Sequence, residues 1–567
     1  MFCYTKEMKQ TVVAKRTSMA LLLFLCTLLF PGGASAEGAR PVVPQVPGTG
    51  SIIHEILTGG SGREVVVSGE TVYSLALVRT FYGARNYQPA WSWDGRLIQA
   101  STLIRAIEDS YADGLTPGFY HLTRLRSLVA AAERERPTAT ELAALDVLLS
   151  DAFITLGCHL SGGCVDPVRM KAEWFAERGK VDVASLLEQA LGKKQVRETL
   201  ARLRPLQASY ENLKQALAKY RELSLRGPWP VVAAGPPLKK GVTSARVAEL
   251  RKRLAASGDL ADGRTPELLF DQTLETAVRM FQGRHGLEPD GVVGRATLAA
   301  LNVPLAERVR QIELNMERLR WILGNTDRRF VIVNIADFRL QVVEEGKPVL
   351  SMKVVVGKSY LQTPVFSAKM KYLIINPAWN VPDSIAQKEI LRDIRKKPGY
   401  LSKQKMKVLK GWGNQEKEID PETVDWAHIS PKSLSYRFRQ EPGTLNPLGR
   451  IKFMFPNPYN VYLHDTPAKG LFARNVRTFS HGCTRIEKPI ELAEYLLRDS
   501  PKWSREKILS TISSGVETEV PVPRPINVNF VYLTAWVDEN STLQFRNDIY
   551  GRDKLLDEIL RGKPALP

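Results

Sequence analysis

Apolar positions change their spacing several times along the 567 residues, and each change marks a different kind of element. From about residue 71 to 225 they recur at three and four, as in Leu145, Leu149, Phe153 and Leu156 and again in Leu213, Leu217, Tyr220 and Leu223. That spacing belongs to amphipathic helices, so an all-helical domain is expected there. Gly227-Pro228-Trp229-Pro230 through Pro236-Pro237 interrupts it as a linker. Shorter helices follow between 238 and 303. Val247, Leu250 and Leu254 share one face, and Thr273 to Gly286 turns Ala277, Val278 and Phe281 inward. A long amphipathic helix is predicted from Pro304 to about Leu323 (304–325 with its ends), carrying Leu305, Val309, Ile312, Met316 and Leu319 on one side.

Past residue 328 the period becomes two. Phe330 to Val356 alternates around the hairpin turn Glu344-Glu345-Gly346-Lys347, and Lys371 to Ile375 and Arg450 to Phe455 read as further strands. Between them, residues 379–447 form an insertion that opens on Trp379-Asn380-Val381-Pro382 and predicts a helix from Ser384 to Arg395. A loop of that length in a compact domain is functional or disordered, and this one is expected to be a lid. A catalytic domain over 328–500 ends with a helix from Pro489 to Leu497. The tail, 501–567, holds a strand from Ile526 to Val537, a turn, Thr542 to Arg546 and a final amphipathic helix.

The N-terminus is read differently. Lys6, Lys9, Lys15 and Arg16 precede an apolar run from Met19 to Phe30, then Pro31-Gly32-Gly33 and Ala34-Ser35-Ala36. This is the order of a secretory signal with cleavage after Ala36; the run is short of the ~20 residues of a spanning helix. Residues 37–70 are a flexible lead-in. Removing the four basic and one acidic residues of 1–36 takes the formal charge from +19 to +16. No arginine-rich tract or interleaved aromatic run suits nucleic acid, whereas an exported cationic protein suits an anionic polymer.

Chemistry concentrates between Val461 and Glu487. Val461-Tyr462-Leu463 reads as a strand that delivers His464, and Ser480-His481-Gly482-Cys483 forms a small-residue turn into Thr484-Arg485-Ile486. A thiol needs an imidazole to form its thiolate, so Cys483 with a histidine is a candidate acyl-transfer pair. Gly482 lets backbone approach a substrate carbonyl, and the turn's N–H groups are candidate oxyanion donors. A structural cysteine beside unrelated histidines is the bland alternative. A zinc site of His464, His481 and Cys483 is the other, but no further Cys or clustered carboxylate completes a usual set; no metal and no cofactor are expected. Beyond the leader the cysteines are Cys158, Cys164 and Cys483. The first two flank Ser161-Gly162-Gly163 and could close a disulfide loop, leaving Cys483 as the odd, reactive thiol.

His464-Asp465-Thr466-Pro467 followed by Ser480-His481-Gly482-Cys483-x-Arg485 resembles the signature of the YkuD-type L,D-transpeptidases, cell-wall enzymes that use Cys in place of Ser. Thr484 departs from the usual branched apolar residue and is expected to change only local polarity. Tyr87-Gln88-Pro89-Ala90-Trp91 and Val165-Asp166-Pro167 resemble the large, scaffold-bearing (YcbB-like) members. Phe281-Gln282-x-x-His285-Gly286-Leu287-x-x-Asp290-Gly291 resembles the helical peptidoglycan-binding module, with most of these residues structural and His285 a helix-end cap. The resemblance implies an α+β multidomain chain: a helical scaffold domain (71–225), a small helical binding domain (238–303), and a mostly β, sandwich-like catalytic domain with an inserted, mobile cap. It also implies Cys483 as nucleophile, His464 as general acid/base with a backbone carbonyl as third member, Gly482 and Cys483 N–H as oxyanion donors, and His481, Ser480 and Arg485 in support. Arg485 would orient the turn or a substrate carboxylate. The implied reaction is a 3→3 peptidoglycan cross-link made in the periplasm, with release of D-alanine from a tetrapeptide donor. Implied partners are donor and acceptor stem peptides and penicillin-binding proteins, with no nucleic acid and at most a peripheral membrane contact. An L,D-carboxypeptidase, a cysteine endopeptidase and a non-catalytic wall-binding protein are the alternatives.

Overall fold

The computed structural model describes residues 48–59, 64–168, 170, 181–261, 267–322 and 328–562. The expected signal segment lies outside the described residues; the expected flexible lead-in, 37–70, is described over 48–59 and 64–70 and is helical from Thr49 to Thr58, where Ile53 and Leu57 are buried, so the helical region begins before residue 71.

The helical domain is organised around α1 (Ala139–Gly162). Thr138 starts it with a capping box: its side chain accepts the Glu141 N–H while Glu141 accepts the Thr138 N–H at 2.8 Å. Although α1 is long and apolar enough to cross a membrane, most of its apolar window is buried by neighbouring helices. The Tyr-Gln-Pro-Ala-Trp turn is held to it by one carboxylate. Asp146 accepts from Tyr82 Oη (2.6 Å), Ala90 N (2.7 Å) and Trp91 N (2.9 Å).

Gly163 (φ +83°) turns the chain off α1 towards a second long helix, packed between α2 (Ala208–Ser224) and the tail and labelled α3 (Leu305–Trp321). A Cβ on Gly163 would lie 2.4 Å from the Trp321 indole nitrogen, so the approach requires glycine. Glu317 on α3 receives the N–H groups of Cys164 (2.5 Å) and Val165 (3.1 Å). Cys164 is a buried free thiol, and the bridge to Cys158 that the sequence left open is not formed; the Gly163 turn places Cys164 against Glu317 of α3.

The small domain has its own core of Val247, Leu250, Leu254, Phe270, Leu274, Val278 and Phe281. Gln282 is its polar hub: Nε2 donates to Asp290 and Thr297, and Oε1 accepts the Gly291 N–H. His285 is buried, donates from Nδ1 to the Phe281 carbonyl (2.8 Å) and stacks between Phe281 and Phe545. It is a structural residue, as expected.

The catalytic region is a closed barrel. Its strands are β1 (Arg329–Asn334), β2 (Arg339–Glu344), β3 (Lys347–Gly357), β4 (Ser367–Ile375), β5 (Ile451–Met454), β6 (Leu463–His464), β7 (Thr478–Ser480), β8 (Thr484–Ile486) and β9 (Thr518–Val531). Eight pair in the ring β3-β8-β6-β5-β4-β9-β1-β2, and β2 pairs back to β3; β7 branches onto β3. The sandwich-like domain that the resemblance implies is thus corrected to a barrel. Alternation specifies one buried face per strand, and that face serves equally a ring closed through β2 and β3. The catalytic unit also runs past the expected boundary at residue 500, since β9 lies between β4 and β1. The last helix, α4 (Arg552–Leu560), returns to α3 through Arg318 with Asp553 (2.5 Å) and Arg310 with Asp557 (2.7 Å).

Residues 379–447 fold as a separate small unit. Four short strands form a sheet, and Val381, Ala386, Ile390, Leu401, Met406, Val408 and Phe438 form its core. The predicted helix is present from Asp383 to Lys396, with a π turn over Ala386–Ile390.

Asp146→Ala would leave the buried N–H groups of Ala90 and Trp91 without an acceptor and leave the Tyr82 hydroxyl only Ser150 Oγ (2.8 Å). It is expected to destabilise the helical domain by roughly 3 kcal/mol, measured as a lower urea midpoint by circular dichroism; an unchanged midpoint would remove the Asp146 clamp.

Candidate active site

β6 and β8 run parallel, and their register sets the site: Leu463 opposes Thr484 and His464 opposes Arg485. Successive side chains alternate between faces. Leu463 and Thr484, fully buried, point to the barrel interior. Tyr462, His464, Cys483 and Arg485 therefore share the outer face. On the antiparallel side of β6, Lys452 of β5 opposes His464, which extends the row Lys452, His464, Arg485 across three strands. Sequence had placed His464 and Cys483 in one neighbourhood; the pairing puts them diagonally across two adjacent strands.

His464 is buried, and its Nδ1 donates to the carbonyl of Asp465 (2.6 Å). That carbonyl is itself fixed. Asp465 N donates to Ile451 O (2.9 Å), and its carboxylate accepts from Arg450 N (2.9 Å) and Lys469 Nζ (2.5 Å). Gly449 (φ +64°) leaves room for the carboxylate, which a Cβ would approach to 2.5 Å. Burial, then the charges of Arg485 and Lys452, push the His464 pKa down to about 3, so the ring is neutral at physiological pH.

Cys483 is half-buried, with Sγ 3.7 Å from the Asn460 carbonyl. Burial pushes its pKa up. The N–H and hydroxyl of Tyr462 act against that shift, as do the Lys452 and Arg485 charges. The turn before it is tight. Gly482 adopts φ +112°, a conformation side chains rarely reach; its N–H donates to Ser480 Oγ (3.2 Å), and its carbonyl accepts from Thr363 Oγ1 (2.8 Å). Thr363 Oγ1 also accepts the Gly357 N–H (2.9 Å), tying the turn to the end of β3.

His481 points the other way. Its Nε2 donates to Glu389 Oε1 (2.5 Å), from the π turn of the inserted unit. The insertion thus touches the turn that carries the thiol, two residues before it.

Three residues of this face were not singled out from sequence. Tyr462 and Lys452 were both legible in principle, since Val-Tyr-Leu-His and Ile-Lys-Phe-Met alternate in phase with His464. Glu389 had no such signal, because it reaches the site through the fold of the insertion. Among the described residues no cluster of three His, Cys, Asp or Glu side chains could hold a metal.

The site is thus a glycine-supported thiol turn and a buried imidazole on the outside of a closed barrel, touched by an inserted unit, in a chain with two further helical domains. Residues 328–522 match the L,D-transpeptidase catalytic domain of the YkuD family, residues 76–217 the scaffold domain and residues 243–301 the "Putative peptidoglycan binding domain". Three separate stretches of the chain therefore match an L,D-transpeptidase catalytic domain, a scaffold domain and a putative peptidoglycan-binding domain. A "Putative L,D-transpeptidase" of Haemophilus influenzae is 34% identical over 248 residues, 44% of this chain and 49% of that protein. N-acetylmuramoyl-L-alanine amidase CwlM of Mycobacterium tuberculosis is 45% identical over 82 residues, 13% of this chain and 20% of that one. The chain thus spans about half the length of the first relative and a fifth of the second. A solved L,D-transpeptidase from Stackebrandtia nassauensis covers 53% of this chain and 96% of its own at 14% identity and a TM-score of 0.20, a likeness that carries no argument.

Thr484 Oγ1 is buried with no hydrogen-bond partner among the described residues. Thr484→Val is expected to raise stability by about 1 kcal/mol, read as a higher melting temperature; a lower one would mean the hydroxyl has a partner.

The buried histidines also set a pH dependence. For His464, and for His285, whose pKa burial pushes well below 6.5, the unfolded chain binds a proton below pH 6.5 that the folded site refuses. Stability is therefore lost as pH falls, by about 2 kcal/mol per histidine from pH 6.5 to 5. His121, whose pKa is raised by Asp151 and Glu70 against burial, contributes with the opposite sign, and its contribution is complete below 6.5. Unfolding midpoints at pH 7 and 5 should show a smaller loss in His464→Gln than in the unaltered protein.

Proposed function

We propose that the protein is a periplasmic L,D-transpeptidase that forms 3→3 peptidoglycan cross-links through a Cys483 thioester. The observation that carries this reading is the placement of Cys483 and His464 on one outer face, with the imidazole clamped by the Asp465 carbonyl.

The Nδ1–H bond to Asp465 fixes the tautomer, leaving Nε2 as the proton acceptor. Sγ attacks the carbonyl of the third residue of a donor stem while its proton passes to His464 Nε2. The Cys483 N–H, joined by the Gly482 N–H when it gives up its long bond to Ser480, holds the oxyanion. As the tetrahedral intermediate collapses, the S–C bond is kept and the C–N bond breaks. The leaving D-alanine amine takes the proton from His464. An acceptor amine then loses its proton to His464, attacks the thioester and releases the thiol. In this scheme Ser480, His481 and Arg485 support the turn, and the insertion covers it as a lid. The small helical domain holds the enzyme on peptidoglycan.

The test is intact mass after exposure to a carbapenem and, separately, to a tetrapeptide muropeptide. A single adduct is expected on the unaltered protein and none on Cys483→Ala. With muropeptide, dimers should accumulate; monomers formed from added dimers would mark an endopeptidase instead. His464→Ala is expected to lose at least about 100-fold in acylation rate and His481→Ala far less. Equal losses would reassign the base.

A further inference from the structure

The peptide unit between Gly482 and Cys483 is gripped at one end and free at the other. Its carbonyl oxygen accepts from Thr363 Oγ1 at 2.8 Å. Its N–H, which belongs to Cys483, makes no hydrogen bond among the described residues. A peptide unit is planar and trans, so its C=O and N–H point in opposite directions. Whatever fixes the oxygen therefore fixes where the Cys483 N–H points. The direction of the Thr363 bond is settled by its neighbours. The Gly357 N–H, 2.9 Å from Oγ1, can only donate and the Gly482 carbonyl can only accept, so the one hydrogen of the hydroxyl goes to Gly482. Thr363 itself has little freedom. It is fully buried, and its β-branched side chain is stiff at χ1. Its N–H donates to Tyr550 Oη (3.4 Å) and its carbonyl accepts from Arg552 (3.1 Å). Tyr550 Oη in turn donates to the Gly357 carbonyl (2.5 Å), so one tyrosine of the tail holds both Thr363 and the residue whose N–H orients its hydroxyl.

We infer that Thr363 is a positioning residue for the oxyanion: its hydroxyl, locked by Gly357 and by Tyr550, orients and polarises the Gly482–Cys483 peptide so that the Cys483 N–H is aimed at the oxygen of the carbonyl under attack. This rests on the acyl-transfer reading of Cys483 given above. Thr363 touches neither substrate nor thiol in this role and acts through the amide alone. A hydrogen bond received at a carbonyl strengthens the N–H of the same amide as a donor, by about 10–30% per bond. That gain counts most when the acceptor gains negative charge, which happens in the transition state and not in the resting enzyme. A hydroxyl that merely tied down the turn would serve every reaction of the thiol equally, whereas one that aims the N–H serves only those that build charge on an oxygen.

Two reactions of Cys483 in the full chain separate these roles, each followed by mass at that residue. Opening of a carbapenem by Sγ passes through a tetrahedral oxyanion; alkylation by iodoacetamide displaces iodide from a saturated carbon and forms none. Both depend alike on folding, access and thiolate fraction, so their ratio isolates the oxyanion. Thr363→Val, which keeps the shape and removes the hydroxyl, should lower acylation at least about tenfold and leave alkylation within about twofold. Thr363→Ser, which keeps a hydroxyl, should recover most of the acylation rate. Tyr550→Phe, which frees the loop without touching the turn, should lower the ratio about threefold or more. An equal fall in both rates in Thr363→Val makes the residue a tether and overturns the inference, as does unchanged acylation in that variant or a Thr363→Ser protein as slow as Thr363→Val. If Thr363→Val does not fold, Tyr550→Phe decides, and an unchanged ratio there overturns the inference. The same series with a tetrapeptide donor distinguishes the two readings. If the carbapenem shows the Thr363 pattern and the tetrapeptide does not acylate the unaltered protein, the positioning role stands and the transpeptidase reading fails. If neither acylates it, both are overturned.

Discussion

The site depends on a pairing only two residues long. β6 and β8 touch in parallel at Leu463 with Thr484 and His464 with Arg485, and because side chains alternate, this register decides what shares a face with the thiol. A slip of one residue would turn His464 inward to the barrel core and bring Leu463 out beside Cys483. Such a short contact cannot hold its own register. It is held from outside: Leu463 is locked into the apolar interior, β5 pairs the far side of β6, β3 pairs the far side of β8, and Asp465 is pinned by Arg450 and Lys469. Ring closure makes each of these constraints depend on the others.

A second level of support comes from charge. α3 carries Arg308, Arg318, Arg320 and Glu317 into the interior, where partners come from three other parts of the chain: Cys164 and Val165 beyond α1, Asp113 in the helical domain and Asp553 on α4. Taking one partner from such a set leaves a buried charge exposed to low dielectric, a larger loss than any surface ion pair could cause. The same tail reaches the site directly. Tyr550 Oη donates to the Gly357 carbonyl (2.5 Å), and Arg552 holds Gln362 and the Thr363 carbonyl. Thr363 in turn holds Gly482. The long amphipathic helix predicted from Pro304 is thus a shared interior element.

What could be read in advance followed the range of the interactions. Helices and strands were legible because their periodicities are local; so were Cys483, His464 and the turn, which lie within twenty residues of one another. The helix of the insertion was placed within a residue at each end. Closure of the barrel was not legible, because alternation is the same for an open and a closed sheet. Nor was the part played by β9, whose partners β1 and β4 lie far upstream in sequence. The state of Cys158 and Cys164 was open for a related reason: proximity in sequence allows a bridge, and the long-range contact of the Cys164 N–H with Glu317 is not visible from sequence. Glu389 belongs to the same group, since its place beside the thiol turn is a product of folding.

One topological fact bears on how the molecule is made. β9, which lies between β4 and β1, is encoded some forty residues after the thiol, and its parallel partner β1 nearly two hundred residues before it. Contacts of such separation form slowly. A chain made from its N-terminus therefore passes most of its synthesis with an unfinished barrel. The thiol is joined by its full set of neighbours only when nearly all of the polypeptide is present, so the assembly of the site is tied to completion of the chain.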